Sequence, residues 1–266
     1  MTALDRMIRV YNNAMVRHRS QYYGDSGYFN FGYWSRGATS QSQASEALVD
    51  RLLDDLPACG RILDVACGVG ASTRALAGRY GAEQVVGINI SDVQLAEARK
   101  RASACEFLQM DAARLTFPDN SFDAVICVEA AFHFDTRQAF LREAFRVLKP
   151  GGSLALSDIL FRRTPLTGLF HVPAANLLED IEAYRSLLSA IGYEAIAIED
   201  ATDACLKPFC RGLAAWPASQ RMAGAIKPGK ALRRSFSYGA VAAYFGALCK
   251  AYLLVASRKP VAAADR

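Results

Sequence analysis

From residue 61 onward the chain alternates between two periods. Residues 62–66, 84–90, 105–110, 122–128 and 153–160 are near-continuous apolar runs bounded by turn residues, the pattern of strands buried on both faces. Residues 72–80, 92–102 and 136–148 carry apolar side chains at helical spacing, as in Phe140, Leu141, Ala144, Phe145 and Leu148. Ser91 stands where an N-cap would open the helix over 92–102. Strands alternating with helices predict a doubly wound α/β fold, a parallel sheet with helices on both faces. Outside this run the pattern predicts helices over 4–19, 40–56 and 177–191, and strands over 193–198 and 252–257. Residues 201–247 are mixed, with helix-like apolar stretches.

One segment fits neither period. Residues 22–34 form a loop by their glycines, yet seven of the thirteen are aromatic. A solvated loop does not use aromatics this way. Either the loop packs on the core as an anchored arm, or it roofs a ligand pocket. The resulting division is an N-terminal helical arm with an aromatic lid over 1–57 and a ligand-binding core over 58–161. A substrate cap over 162–247, including one core helix and strand, precedes the last core strand at 248–260 and a tail at 261–266.

Composition removes several classes of function. Hydrophobic residues make up 52% of the 266, enough for a large core. The formal net charge of +5 is mild and no long Lys/Arg run is present, so a nucleic-acid partner is not expected. Seven cysteines without C-x-x-C spacing read as reduced thiols. The N-terminal residues lack a signal peptide's apolar region, and the apolar stretch over 240–257 is broken by Lys250. A cytoplasmic protein without a membrane span or a resident metal is the expectation. Oligomeric state has no signature here.

The candidate chemistry lies at the carboxyl ends of the strands, where doubly wound sheets bind their ligands. Asp64 with Gly68 and Gly70, then Asn89, Asp111, Glu129 with His133, and Asp158 all fall at such ends. A dinucleotide fingerprint would place a third glycine where Thr73 stands. Asp64, inside the first strand, disfavours a nearby phosphate and favours a cationic ligand.

Five motifs then carry a family resemblance: residues 62–70 (ILDVACGVG), 86–91 (VGINIS), 110–112 (MDA), 117–123 (FPDNSFD) and 146–152 (RVLKPGG). Together they make residues 61–161 resemble the class I S-adenosylmethionine-dependent methyltransferases. The resemblance implies a Rossmann-like seven-stranded sheet whose last strand, 252–257, is antiparallel. It implies that Ala66, Gly68 and Gly70 carry the methionyl part of S-adenosylmethionine, with Asp64 close by. Asn89 would meet the ribose with help from Gln94, Asp111 and Ala112 would meet the adenine, and Ile90 and Glu129 would be further cofactor contacts. Asn89 departs from the family's usual acidic residue, and its neutral amide both accepts and donates. The phrase over 87–94 resembles the branch that modifies small lipophilic metabolites and sterols.

His133 is one of only three histidines and suits a general base. Sugar and polyketide O-methyltransferases resemble the chain here, with a histidine four residues after the same glutamate and an acidic residue like Asp158. Tyr22, Tyr33, Trp34, Phe132, Asp158, Phe161 and His171 are the candidate acceptor contacts, and Phe170 and Phe236 are among the aromatics available to line a pocket. The expectation is methyl transfer to an oxygen of a lipophilic small molecule in specialised metabolism. The phrase over 129–133 also resembles sterol C-methyltransferases, so C-methylation of an isoprenoid or other alkene through a carbocation stays open. So does a cofactor-binding protein without catalysis.

Overall fold

The computed structural model describes residues 3–17, 21–164, 167 and 171–261. Its sheet has seven strands: β1 (Ile62–Val65), β2 (Val85–Asn89), β3 (Glu106–Gln109), β4 (Phe122–Val128), β5 (Leu148–Phe161), β6 (Glu194–Asp200) and β7 (Cys249–Arg258). The spatial order is β3-β2-β1-β4-β5-β7-β6. β1 to β5 pair in parallel, and β7 runs antiparallel between β5 and β6. The order reverses between β1 and β4, so the crevice above their carboxyl ends is the place a ligand is expected.

The central helices start where polar caps begin them. Ser91 accepts the Gln94 N–H to open α4 (Asp92–Arg101), and Thr136 accepts the Ala139 N–H to open α5 (Arg137–Val147). The helix expected from residue 177 begins later, as α6 (Ile181–Ile191), because Asp180 caps it and Leu177 remains in the preceding turn. Gly192 ends it in the left-handed region. The other helix beside the core, α3 (Ala71–Tyr80), follows the glycine loop.

The sheet is covered on both faces. Leu48, Leu52, Ile62, Leu76 and Ile126 pack in one apolar layer, and Leu63, Val65, Val125, Phe140 and Leu141 in the other. Leu48 and Leu52 belong to α2 (Gln41–Leu53), and before it come α1 (Ala3–Asn12) and a π-helical turn (Asn13–Arg17). The mixed region resolves into two long helices, α7 (Leu206–Met222) and α8 (Pro228–Leu248), packed as a hairpin. The seven cysteines carry free thiols. Among the described residues no helix is long and apolar enough to cross a membrane. His18, Phe170 and residues 262–266 lie outside the described residues.

Candidate active site

The loop after β1 places three left-handed residues close together: Ala66 (φ 57°), Gly68 (φ 57°) and Gly70 (φ 83°). The two glycines are needed for different reasons. A Cβ on Gly70 would lie 3.0 Å from the Cα and Cβ of Ala98, so this glycine lets α3 and α4 approach. A Cβ on Gly68 would lie 2.9 Å from the Met15 Cε of the N-terminal arm, so this one keeps the surface of the crevice bare.

Asp64 is buried beneath this loop. Its Oδ2 accepts from the Ser72 hydroxyl (2.7 Å) and the Thr73 hydroxyl (2.6 Å). Its Oδ1 is buried without a partner. Burial raises the carboxyl to about 6, against the pull of the two hydroxyls. The residue that breaks the dinucleotide fingerprint, Thr73, is thus the one that holds Asp64.

At the end of β2, Asn89 accepts the Ser91 N–H (3.1 Å) and donates to Gln94 Oε1 (3.0 Å). Gln94 and Ser91 in turn donate to Asn12 Oδ1 of the arm, at 3.0 and 2.8 Å. The Ile90 carbonyl accepts from Gln109 at 3.0 Å. After β3, Asp111 accepts the Ala113 N–H (2.9 Å) in a tight turn, with Ala112 buried beside it. The expected cofactor residues on the glycine loop, β2 and β3 therefore stand at the carboxyl ends of three neighbouring parallel strands. The donor set fits S-adenosylmethionine: an orphaned carboxylate oxygen at Asp64 for an ammonium, a side chain cleared away at Gly68, and a carboxylate acceptor at Asp111.

His133 sits on a short 3-10 turn (Ala131–His133) after β4. Its Nδ1 lies 3.1 Å from the His171 carbonyl oxygen, and its Nε2 lies 2.7 Å from the Tyr11 hydroxyl. A carbonyl only accepts, so Nδ1 carries the proton and Nε2 offers its lone pair. Burial lowers the imidazole to about 4 and keeps it neutral. Burial, then the charge of Glu129, raises the Tyr11 phenol. The Phe132 ring packs beside both His133 (4.3 Å between centroids) and Phe161 (5.1 Å).

Several sequence expectations need correction. Asp158 is fully buried and cannot meet an acceptor. It pairs with Arg137 (Nε to Oδ2, 2.7 Å) and accepts the Tyr184 hydroxyl (2.8 Å). Glu129 does not turn toward the cofactor loop. Its Oε2 accepts the Phe31 N–H (2.8 Å) and the Tyr252 hydroxyl (2.7 Å), fastening the arm to β7. Tyr22 is buried against Phe209 and Trp216. Trp34 donates its indole N–H to the Phe31 carbonyl, and Tyr33 lies under Arg36. Tyr22 anchors the arm, whereas Tyr33 and Trp34 remain half-buried. Phe236 points outward, 74% exposed. His171 contributes its carbonyl to the site, as the group that sets the His133 tautomer.

Sequence reasoning missed Tyr11, Asn12 and Asn176. Tyr11 was visible only as part of an apolar helix face. Asn176 donates to the carbonyls of Phe132 (3.0 Å) and Phe134 (2.8 Å), bracketing His133, and accepts the Arg137 N–H at 2.7 Å.

Comparison with known proteins agrees with this geometry. A methyltransferase-domain family model matches residues 63–156. The 27-O-demethylrifamycin SV methyltransferase of Amycolatopsis mediterranei is 30% identical over 250 residues, covering 86% of this chain and 89% of that protein. The chain belongs to the S-adenosylmethionine-dependent methyltransferases. An O-methyltransferase of Penicillium expansum is 32% identical to this methyltransferase over 201 residues, covering 70% of the chain and 71% of its own. Among solved structures, the cyclase SpnF superposes with a TM-score of 0.62 at 28% identity, over 86% of this chain and 87% of its own. The geranyl diphosphate C-methyltransferase of Streptomyces coelicolor, with S-adenosyl-L-homocysteine bound, shares the fold at a TM-score of 0.69 and 17% identity, over 97% and 98%. The methyltransferase uses S-adenosylmethionine as its methyl donor.

Proposed function

We propose that this methyltransferase moves a methyl group to an oxygen of a lipophilic small molecule in specialised metabolism, with His133 as the base. The observation that carries the reading is the pairing of His133: Nδ1 held by the His171 carbonyl and Nε2 facing a hydroxyl at 2.7 Å. A hydroxyl donor is already the preferred partner of that nitrogen. The aromatic surroundings of His133, with Tyr11, Phe132 and Phe161, suit an apolar acceptor. The O-methyltransferase names of two relatives support the same reading.

In this reading Asp64, Ala66, Gly68 and Gly70 hold the methionyl end of the cofactor, Asn89, Ile90 and Gln94 the ribose, and Asp111 with Ala112 the adenine. The cofactor, when bound, supplies a methyl group made electrophilic by a sulfonium. The chain's own task is to hold the acceptor oxygen in line, keep water out and take the proton. The proton passes to Nε2 of His133, and the His171 carbonyl stabilises the imidazolium through Nδ1–H. Single-turnover transfer to a hydroxylated acceptor tests the assignment. His133→Ala is expected to slow it by about 10²–10⁴-fold with cofactor affinity unchanged. Transfer to oxygen at near the native rate would end the reading.

A second reading rests on Glu129, whose carboxyl lies among Tyr11, Tyr23 and Tyr252. Aromatic faces around a carboxyl group suit a cationic alkene-derived intermediate, and hence C-methylation. On that route His133→Ala keeps most of its rate while Glu129→Gln loses it.

A further inference from the structure

Charge is distributed unevenly over this molecule. The whole chain carries a formal +5, yet residues 204–250 hold eight lysines and arginines and no aspartate or glutamate. The rest of the chain is therefore net negative. All of that positive charge lies on the α7–α8 hairpin and its borders.

The same hairpin exposes apolar side chains. Met222 at the end of α7 is 83% exposed, and Leu232 and Phe236 on α8 are 63% and 74% exposed. Along α8, Leu232, Phe236, Ala240, Ala243 and Ala247 follow one another at helical spacing, and all are exposed. The opposite side of α8 packs inward through Ala231 and Ala242. Arg221, Lys227, Lys230 and Arg233 lie between and beside Met222 and Leu232 in the chain, at the turn that joins the two helices, and all four are exposed. Among the described residues none of these four has a carboxylate partner, whereas Lys207, at the far end of α7, pairs with Asp203. Arg234 is different: it lies over Trp216 and donates to Gln21 on the arm.

An apolar stripe bordered by unpaired cations is the surface of a helix that lies in a bilayer interface. The apolar side chains enter the headgroup boundary and the cations stay with lipid phosphates. A nucleic-acid duplex would use the cations but gain nothing from exposed Met222 and Leu232. We propose that the α7–α8 hairpin docks this methyltransferase on an anionic lipid surface, with Met222, Leu232 and Phe236 inserted and Arg221, Lys227, Lys230 and Arg233 on the headgroups. The docking is peripheral, and it stands on this surface alone, whatever atom the enzyme methylates.

The test is co-sedimentation of the full chain with vesicles of phosphatidylcholine alone, or of phosphatidylcholine and phosphatidylglycerol at three to one. The protein is expected on the anionic vesicles, and high salt should weaken the binding. The triple variant Lys227→Glu, Lys230→Glu, Arg233→Glu should lower partitioning by about a hundredfold. Leu232→Ser with Phe236→Ser should lower it with the charge intact. These side chains are exposed, so thermal unfolding and cofactor affinity should match the parent in both variants. No binding to either vesicle, or equal binding to both, overturns the proposal. So does capture of single-stranded RNA by the parent that survives Phe236→Ser while vesicles stay unbound. A dimer in light scattering that Phe236→Ser breaks, without vesicle binding, would place a second copy on this face and also overturn it.

Discussion

His133 combines two properties that pull in opposite directions. Burial lowers its basicity, so it stays neutral and ready, while the His171 carbonyl stabilises the protonated ring that the reaction creates. With S-adenosylmethionine saturating, the acid limb of kcat/KM for the acceptor should therefore fall near pH 4, and the profile should be flat through pH 6.5, where an unperturbed imidazole would titrate. An inflection at about 6.5 would place the ring in contact with bulk water. Asp64 makes the second prediction at this scale. Its carboxyl titrates at about 6, and only the ionised form attracts an ammonium. Cofactor affinity should weaken as pH falls through 6, and Asp64→Asn should weaken it above pH 6 and remove that dependence. Calorimetric titration across pH 5–8 reads both.

Two carboxyl groups tie elements together. Glu129 joins the arm to β7, and burial lifts its carboxyl to about 8 from 4.5. A carboxyl that binds its proton more tightly when folded loses stability as pH rises. The loss should run from about pH 4.5 to 8. Glu129→Gln keeps an oxygen acceptor for the Phe31 N–H and the Tyr252 hydroxyl, so its melting temperature should gain on the parent over that window. His133 acts in the reverse sense: its depressed folded value costs stability as pH falls from 6.5 toward 4, so the comparison is cleanest above pH 6.5. Asp158 joins β5 to α5 and α6 through Arg137 and Tyr184. Asp158→Asn leaves the Arg137 guanidinium buried without its counter-charge, and should cost about 3–5 kcal/mol in denaturant unfolding.

These element-level ties mark the limit of what the sequence discloses. The glycine loop, Asn89 and Asp111 are legible because each sits within a few residues of a strand end, and local pattern places strand ends. The cap at Ser91 is legible for the same reason. The pairing of Asp158 with Arg137, of Glu129 with Phe31, and of His133 with Tyr11 joins residues far apart in sequence, and no periodicity encodes those contacts. Tyr22 shows the difficulty from the other side. Its aromatic character signals burial, but only packing against Phe209 and Trp216 shows that it secures the arm.

Over the whole molecule the parts divide the work. The sheet's switch point and the three strand-end loops lie together, and the arm packs against them through Tyr11, Asn12 and Met15. Phe31 stacks on Phe209 at 4.1 Å and meets Phe245 and Tyr252, so arm, hairpin and last strand share one aromatic cluster. The outward face of that hairpin carries the charge and the exposed apolar stripe. A lipophilic acceptor and an interfacial docking surface are compatible demands on one fold, since such an acceptor concentrates where the enzyme would dock.

The central claim is transfer to oxygen with His133 as the base. It is tested most directly by supplying S-adenosylmethionine with a trideuterated methyl group and a hydroxylated lipophilic acceptor, and locating the label in the product by mass spectrometry and NMR. The account predicts a labelled methyl ether, formed orders of magnitude more slowly by His133→Ala. Label on carbon, or a labelled ether formed as fast without His133, would contradict it.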